Sequence, residues 1–291
     1  MQKTNISEGI KHKNALVVEG GAMRGIFATG ILDVFLEKDF NPFGLHIGVS
    51  AGSTNIAAYL AKMIKRNYKV FTDYSIRPDF ISWKKFLSGG HLVDLDWLWD
   101  ITIKELRLDL KTIINSEKIF LIGVTEVETG RPIFLEPNET NLEEYIKASS
   151  ALPIFYRNFI KINNKNYVDG GVADPIPVIE AYKRGAKNIM VIRSRPFSYN
   201  KKIKSSYLFL KLYFKKYPNL YKAMLNRGKA YQEAINFIRK PPKEINIIEV
   251  NPPDDFKTKR LTRDKDLLDQ DYIIARKMGF DLIKKWNRIY K

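Results

Sequence analysis

The first 66 residues state one arrangement twice. An apolar run leads into a glycine-rich turn, and the turn leads into helix formers. Residues 15–19 (ALVVE) precede GGAMRG at Gly20 to Gly25, and a helix is expected over 26–38 before Asn41-Pro42 breaks it. Residues 45–49 (LHIGV) end at Ser50, and a second helix is expected over about 52–66. Short apolar strands, each followed by a helix, open a parallel sheet buried on both faces, which places the chain in the α/β class. Later segments continue the theme. Strands are expected at 119–126 and 132–135, around Thr129-Gly130, and at Tyr167-Val168, 189–192 and 245–250. Helices are expected over 178–184 and 267–288. The chain's 291 residues suit one large α/β domain with a smaller appended region.

Gly48-Val49-Ser50-Ala51-Gly52 has the G-x-S-x-G spacing of a nucleophile elbow. A serine on a sharp strand-to-helix turn crowds the residues two before and two after it, so both positions exclude a side chain. The helix beginning at Ala51 also directs its N-terminal dipole at Ser50, which favours developing negative charge. Acyl transfer further requires an oxyanion hole. The turn of Gly20, Gly21, Ala22, Met23, Arg24 and Gly25 follows a strand and opens a helix, so its N–H groups can point at an anion. Two rival readings stand beside this one. A dinucleotide fingerprint is weakened by Ala22 at the middle glycine of G-x-G-x-x-G, and by a second strand that ends in Ser50 where an acidic residue is wanted. A purely structural turn is the other.

The proton acceptor is the harder question. There is no cysteine, which excludes thiolate catalysis, disulfides and cysteine-based zinc sites. The three histidines (His12, His46, His91) show no metal-ligand spacing, so no metal and no cofactor are expected. A serine–histidine–aspartate order would need a histidine after Ser50. The only one is His91, within a tryptophan-rich insertion over 75–110 that holds Trp83, Trp97 and Trp99. His46 precedes Ser50 on the same strand and cannot easily turn back to it, and His12 lies in a polar leader. A carboxylate is therefore expected as base. Asp169, in Tyr167-Val168-Asp169-Gly170-Gly171, stands at a strand end before a glycine turn. A free aspartate, with a pKa of about 3.9, is a weak base. It still accepts a proton if transfer accompanies attack or if burial raises its pKa.

Together these segments resemble the patatin-like phospholipase family. Val17-Val-Glu-Gly-Gly-Ala-Met-Arg-Gly-Ile26 is similar to its glycine-rich oxyanion motif, and Gly48-Val-Ser-Ala-Gly52 to its serine elbow. Ala148-Ser-Ser-Ala-Leu-Pro153 followed by Tyr167-Val-Asp-Gly-Gly171 is similar to the segment that carries its catalytic aspartate. The resemblance implies a three-layer α/β/α fold with a mostly parallel central sheet and a Ser–Asp dyad. Ser50 is then the nucleophile and Asp169 its base. The N–H groups of Gly21 and Ala22 bind the oxyanion, and Arg24 holds the loop or attracts a substrate phosphate. Where the family often has glycine, this chain has Ala22, whose N–H is retained but whose β-carbon resists positive φ. The likeness spans about 14–195, with 75–110 as a cap-like insertion. Residues 200–291 lie outside it as a mainly helical, basic region packed on the core.

That last region decides the partner expectations. Of the chain's 49 lysines and arginines and 32 acidic residues, residues 200–291 hold 23 and 10. Such a basic excess attracts anionic surfaces or simply keeps a surface solvated. Within it, residues 204–221 interleave Tyr207, Phe209, Tyr213, Phe214, Tyr217 and Tyr221 with Lys204, Lys211, Lys215 and Lys216. That pattern fits a membrane surface, a nucleic-acid backbone or a helix packing its aromatics inward. The expected activity is hydrolysis of lipid esters, of phospholipase A or lysophospholipase type. The alternatives are acyl transfer by the same dyad, or a basic module binding lipid or nucleic acid. No nucleic-acid signature accompanies the charge, so a lipid ester and peripheral contact with an anionic membrane are the expected partners. The first residues lack an apolar h-region, and no run of about 18 apolar residues occurs, so a cytoplasmic protein without signal peptide or spanning helix is expected.

Overall fold

The computed structural model describes residues 13–199 and 208–290. His12, Lys204 and Tyr207 lie outside them. Eight strands form one mixed sheet: β1 (Asn14–Val18), β2 (Leu45–Val49), β3 (Ile119–Glu126), β4 (Pro132–Leu135), β5 (Ile160–Ile162), β6 (Lys165–Asp169), β7 (Asn188–Ile192) and β8 (Asn246–Val250). Their order is β5-β6-β3-β2-β1-β7-β8, with β4 also on β3. The run β3-β2-β1-β7-β8 is parallel throughout, whereas β4 and β6 pair with β3, and β5 with β6, antiparallel.

Alternate residues of the strands enter two cores, as period-2 side-chain placement requires. Leu16, Val18, Met190 and Ile192 join a core that includes residues of α1 (Ile26–Glu37), α2 (Ala51–Leu60), α7 (Leu142–Ser150) and α11 (Lys265–Tyr290). Ala15, Val17, Ile189 and Val191 join the opposite core under α8 (Val178–Lys183) and α10 (Pro218–Arg239). The architecture is therefore the expected three-layer α/β/α arrangement. Residues 75–110 contain α4 (Trp83–Leu87) and α5 (Leu95–Glu105); α6 (Leu110–Ile114) follows them, α3 (Arg66–Lys69) precedes them, and α9 (Leu208–Tyr213) precedes α10.

One detail differs from the sequence expectation. The helix expected over 52–66 ends at Leu60, because Lys62 and Lys65 adopt left-handed φ values of 56° and 61°. In keeping with the mainly helical C-terminal region expected, residues 218–239 form a 22-residue helix begun by Pro218, the position where a missing N–H costs nothing.

The register of β3 positions the site. β2 and β4 both oppose Ile122 and Gly123, so they lie on opposite edges of β3. β4 and β6 both oppose Val124 and Thr125, so they too lie on opposite edges. It follows that β6 continues the edge that β2 leaves. Val49 faces Gly123 and Asp169 faces Val124, which brings the C-terminal ends of β2 and β6 together.

Candidate active site

Ser50 occupies the turn between β2 and α2 with φ 56° and ψ −130°, a conformation that costs a non-glycine residue of order 1–3 kcal/mol. The surrounding backbone fixes it. Its N–H donates to Ser149 Oγ at 2.8 Å, and that hydroxyl donates to Gly123 O at 2.6 Å. The flanking glycines are required by close approach. A β-carbon on Gly48 would lie 2.6 Å from Ser53 Cα, and one on Gly52 would lie 2.2 Å from the Val18 carbonyl oxygen.

Asp169 ends β6, 4% exposed. Its N–H donates to Ala151 O at 3.0 Å, and its Oδ1 accepts from Gly171 N–H at 2.7 Å. Burial raises the pKa of this carboxyl. The Arg227 charge, a side-chain hydrogen bond with Ser50, the Gly171 N–H and the Arg260 charge act in the opposite direction. Serine and aspartate, distant in sequence, thus line one cavity, close enough for the Ser50 side chain to act on the Asp169 pKa.

The Gly20–Gly25 turn lies beside them. Gly20, Gly21, Ala22 and Arg24 line the same cavity as Ser50 and Asp169. Ala22 adopts φ 50°, the left-handed conformation an alanine resists at a cost of about 1–2 kcal/mol. Two of the turn's amides are committed elsewhere: Met23 N–H donates to Arg260 O and Arg24 N–H to Gly21 O, both at 3.3 Å. The N–H groups of Gly21 and Ala22 carry no protein partner among the described residues. The buried Arg24 clips the turn to the end of β7, donating from Nε to Ser194 O at 2.9 Å.

Among the described residues, the histidines stay away from this chemistry. His46 is fully buried, its ring 6.0 Å from those of Phe43 and Tyr59, and burial drops its pKa to about 3. His91 stacks on Tyr156 at 4.3 Å, and its Nδ1 accepts from Arg157 N–H. Neither lines the cavities at Ser50.

Two cavities meet at Ser50. One, of about 780 Å³ including space open to solvent, contains Arg24, Arg195, Arg227 and Arg260. The other, of about 950 Å³ including space open to solvent, is bounded by Met23, Phe71, Phe80, Leu95, Leu98 and Trp99, several of them from residues 75–110. Residues 16–182 match the family described as patatin-like phospholipase. The chain belongs to that family. A second match, over residues 217–291, is to a domain of unknown function (DUF6363). The uncharacterised protein YjjU of Escherichia coli is 34% identical over 277 residues, covering 91% of this chain and 75% of YjjU. Lysophospholipase NTE1 of Debaryomyces hansenii is 24% identical over 302 residues, covering 95% of this chain but 18% of NTE1. Among solved structures, VipD of Legionella pneumophila shares 14% identity at TM-score 0.45, covering 91% of this chain and 67% of that one, a likeness too distant to bear on the chemistry.

The patatin-like site also contains residues that sequence reasoning missed. Ser149 lies in the Ala148–Pro153 segment, and nothing in the sequence signals its role as the bridge between Ser50 and β3. Arg195, Arg227 and Arg260 come from three different segments, and no local pattern joins them.

Proposed function

We propose that this patatin-like protein is a serine acyl hydrolase of lipid esters. The observation that carries the reading is that Ser50 and Asp169 line one cavity together with the Gly20–Ala22 turn. In this reading Asp169 accepts the hydroxyl proton as Ser50 Oγ attacks the acyl carbonyl carbon. The carbonyl oxygen, now carrying the negative charge, is met by the Gly21 and Ala22 N–H groups, and removing one such donor typically costs about 3–4 kcal/mol of barrier. Collapse expels the alcohol, which leaves with the proton held by Asp169, and an acyl-enzyme remains. Water, deprotonated by Asp169, then releases the fatty acid and restores the serine hydroxyl.

The apolar cavity offers room for an acyl chain, so the insertion acts as a cap over the chain-binding side. The relative named a lysophospholipase supports an acyl ester of a phospholipid as the substrate class. The catalytic unit is the segment 14–195, with 200–291 appended to it. The test is a lipid-ester panel run with wild type, Ser50→Ala and Asp169→Asn, together with a fluorophosphonate probe. Wild type should gain one adduct, at Ser50, and each variant should lose about a thousandfold or more in kcat. A folded Ser50→Ala protein that still hydrolyses the esters at the wild-type rate would refute the reading.

A further inference from the structure

Two helices bound the apolar cavity side by side and give it a length. α5 and α7 run antiparallel. Lys147 pairs with Asp96 toward one end. Toward the other, Trp99 Nε1 donates to Glu143 O at 3.0 Å, and Arg107 donates to both Glu143 carboxylate oxygens at 3.0 and 2.9 Å. The first end belongs to the serine. Val93, just before α5, and Ser150, the last residue of α7, line both cavities that meet at Ser50. From there the lining on α5 passes Leu95 and Leu98 to Ile103, and on α7 it passes Ile146 to Glu143. At about 1.5 Å of rise per residue, Leu95 to Ile103 spans about 12 Å and Ser150 to Glu143 about 10 Å.

The far end is polar. Arg66, 8% exposed, donates from Nε to the carbonyl of Leu106, the C-cap of α5, at 3.2 Å, and from Nη1 to Asn67 Oδ1 at 2.7 Å. Asn67 in turn donates to Asn55 Oδ1 at 2.7 Å. Arg66, Asn67, Arg107 and Glu143 all line this cavity. A hydrocarbon chain gains from burial only while it leaves water for apolar walls. Beyond those walls it meets bonded donors and acceptors, which it can neither satisfy nor displace without loss. Staggered single bonds of about 1.5 Å, opened to about 111°, advance about 1.25 Å per carbon, so the apolar length holds about eight to ten carbons.

We propose that this cavity is an acyl-length ruler: Ser50 marks its origin, and the polar wall of Arg66, Asn67 and the Arg107–Glu143 pair marks its end, so that medium-chain acyl esters of about eight to ten carbons are the preferred substrates. The assignment rests on the acyl-hydrolase reading and deepens it by naming the acyl group.

The experiment measures kcat/KM for p-nitrophenyl esters from butyrate to palmitate, carried in mixed micelles of one neutral detergent, with wild type, Arg66→Met and Leu98→Phe. Wild type should gain about fourfold per added methylene, the effect of burying one, up to octanoate or decanoate and then stop gaining. Each profile is normalised to its own butyrate value, so a variant that merely lowers activity leaves the optimum in place. Arg66→Met puts an apolar chain where the guanidinium stood and should move the optimum to laurate or beyond. Leu98→Phe adds bulk part-way along the ruler and should move it to hexanoate or below. Melting temperatures report on folding, and if Arg66→Met does not fold, Leu98→Phe carries the test. A wild-type profile that is flat or still climbs at palmitate, while its butyrate activity is lost in Ser50→Ala, overturns the ruler and leaves the Ser–Asp reading standing. An optimum that no folded variant moves assigns the preference to the micelle and overturns the ruler as well. Hydrolysis of no ester at all removes the acyl-hydrolase reading, and the ruler with it.

Discussion

A carboxyl group shielded from water holds its proton more tightly, and Asp169 is 4% exposed. Burial therefore raises its pKa above the ordinary 3.8, against the pull of Arg227, Ser50, Gly171 N–H and Arg260. In the proposed reaction the base form is the carboxylate, so kcat/KM should climb as pH rises through that elevated pKa. The acid limb is expected above the range of a free aspartate. Arg260→Gln removes a charge that lowers the pKa, so it should move the limb to higher pH; a limb that stays put or falls would show that burial and Arg260 do not set this titration. The serine and the aspartate were legible in the sequence because glycine spacing announces a crowded backbone, and Gly48 and Gly52 are indeed packed against Ser53 and Val18. The arginines were not, since their convergence depends on where α10 and the loop before α11 dock, and nothing near any one of them encodes its partners. Ala22 was legible as an anomaly, and its φ of 50° shows that the turn keeps its shape at the expense of strain.

At the scale of elements, the hairpin that delivers Asp169 was overlooked although its signal was present. β5 and β6 are joined by Asn163-Asn164, whose φ values of 47° and 63° are both positive. Asparagine tolerates that conformation, and a two-residue turn of this kind suits the twist of a hairpin. Similarly, α10 buries Leu220, Gly228, Tyr231, Ala234, Ile235 and Ile238, a helical spacing that the interleaved lysines and tyrosines before it obscured. The closing helix was read nearly to its ends, because α11 is long and amphipathic. It packs on α1 around a polar contact: buried Asp33 accepts from Tyr272 Oη at 2.7 Å and from Lys65 N–H at 3.0 Å. Tyr272→Phe removes one of these donors and leaves part of a buried carboxyl unsatisfied. Urea unfolding should report a loss of about 1–3 kcal/mol. A change within the error of the extrapolation would mean that Asp33 finds water or Arg276 in its place.

For the molecule as a whole, charge and apolar exposure bear on where the substrate is met. The excess of base over acid sits mainly in residues 200–291, and no helix among the described residues is long and apolar enough to cross a membrane. On α4, Trp83 is 59% and Leu87 84% exposed, with Lys84 and Lys85 between them, while Phe80 and Ile81 just before them line the apolar cavity. Large apolar side chains exposed among lysines suit shallow insertion beneath phospholipid head groups. Each basic residue near an anionic leaflet adds about 1 kcal/mol, screened within a Debye length. Sedimentation with vesicles should therefore show binding to anionic but not to purely phosphatidylcholine bilayers, falling steeply as salt rises. A Trp83→Ala, Leu87→Ala double variant should bind about tenfold more weakly at fixed salt while keeping its melting temperature, since neither side chain is buried. Equal binding to neutral and anionic vesicles would assign the contact to apolar insertion alone. Unchanged binding by the double variant would instead assign it to the basic C-terminal surface, with the cap left facing solvent.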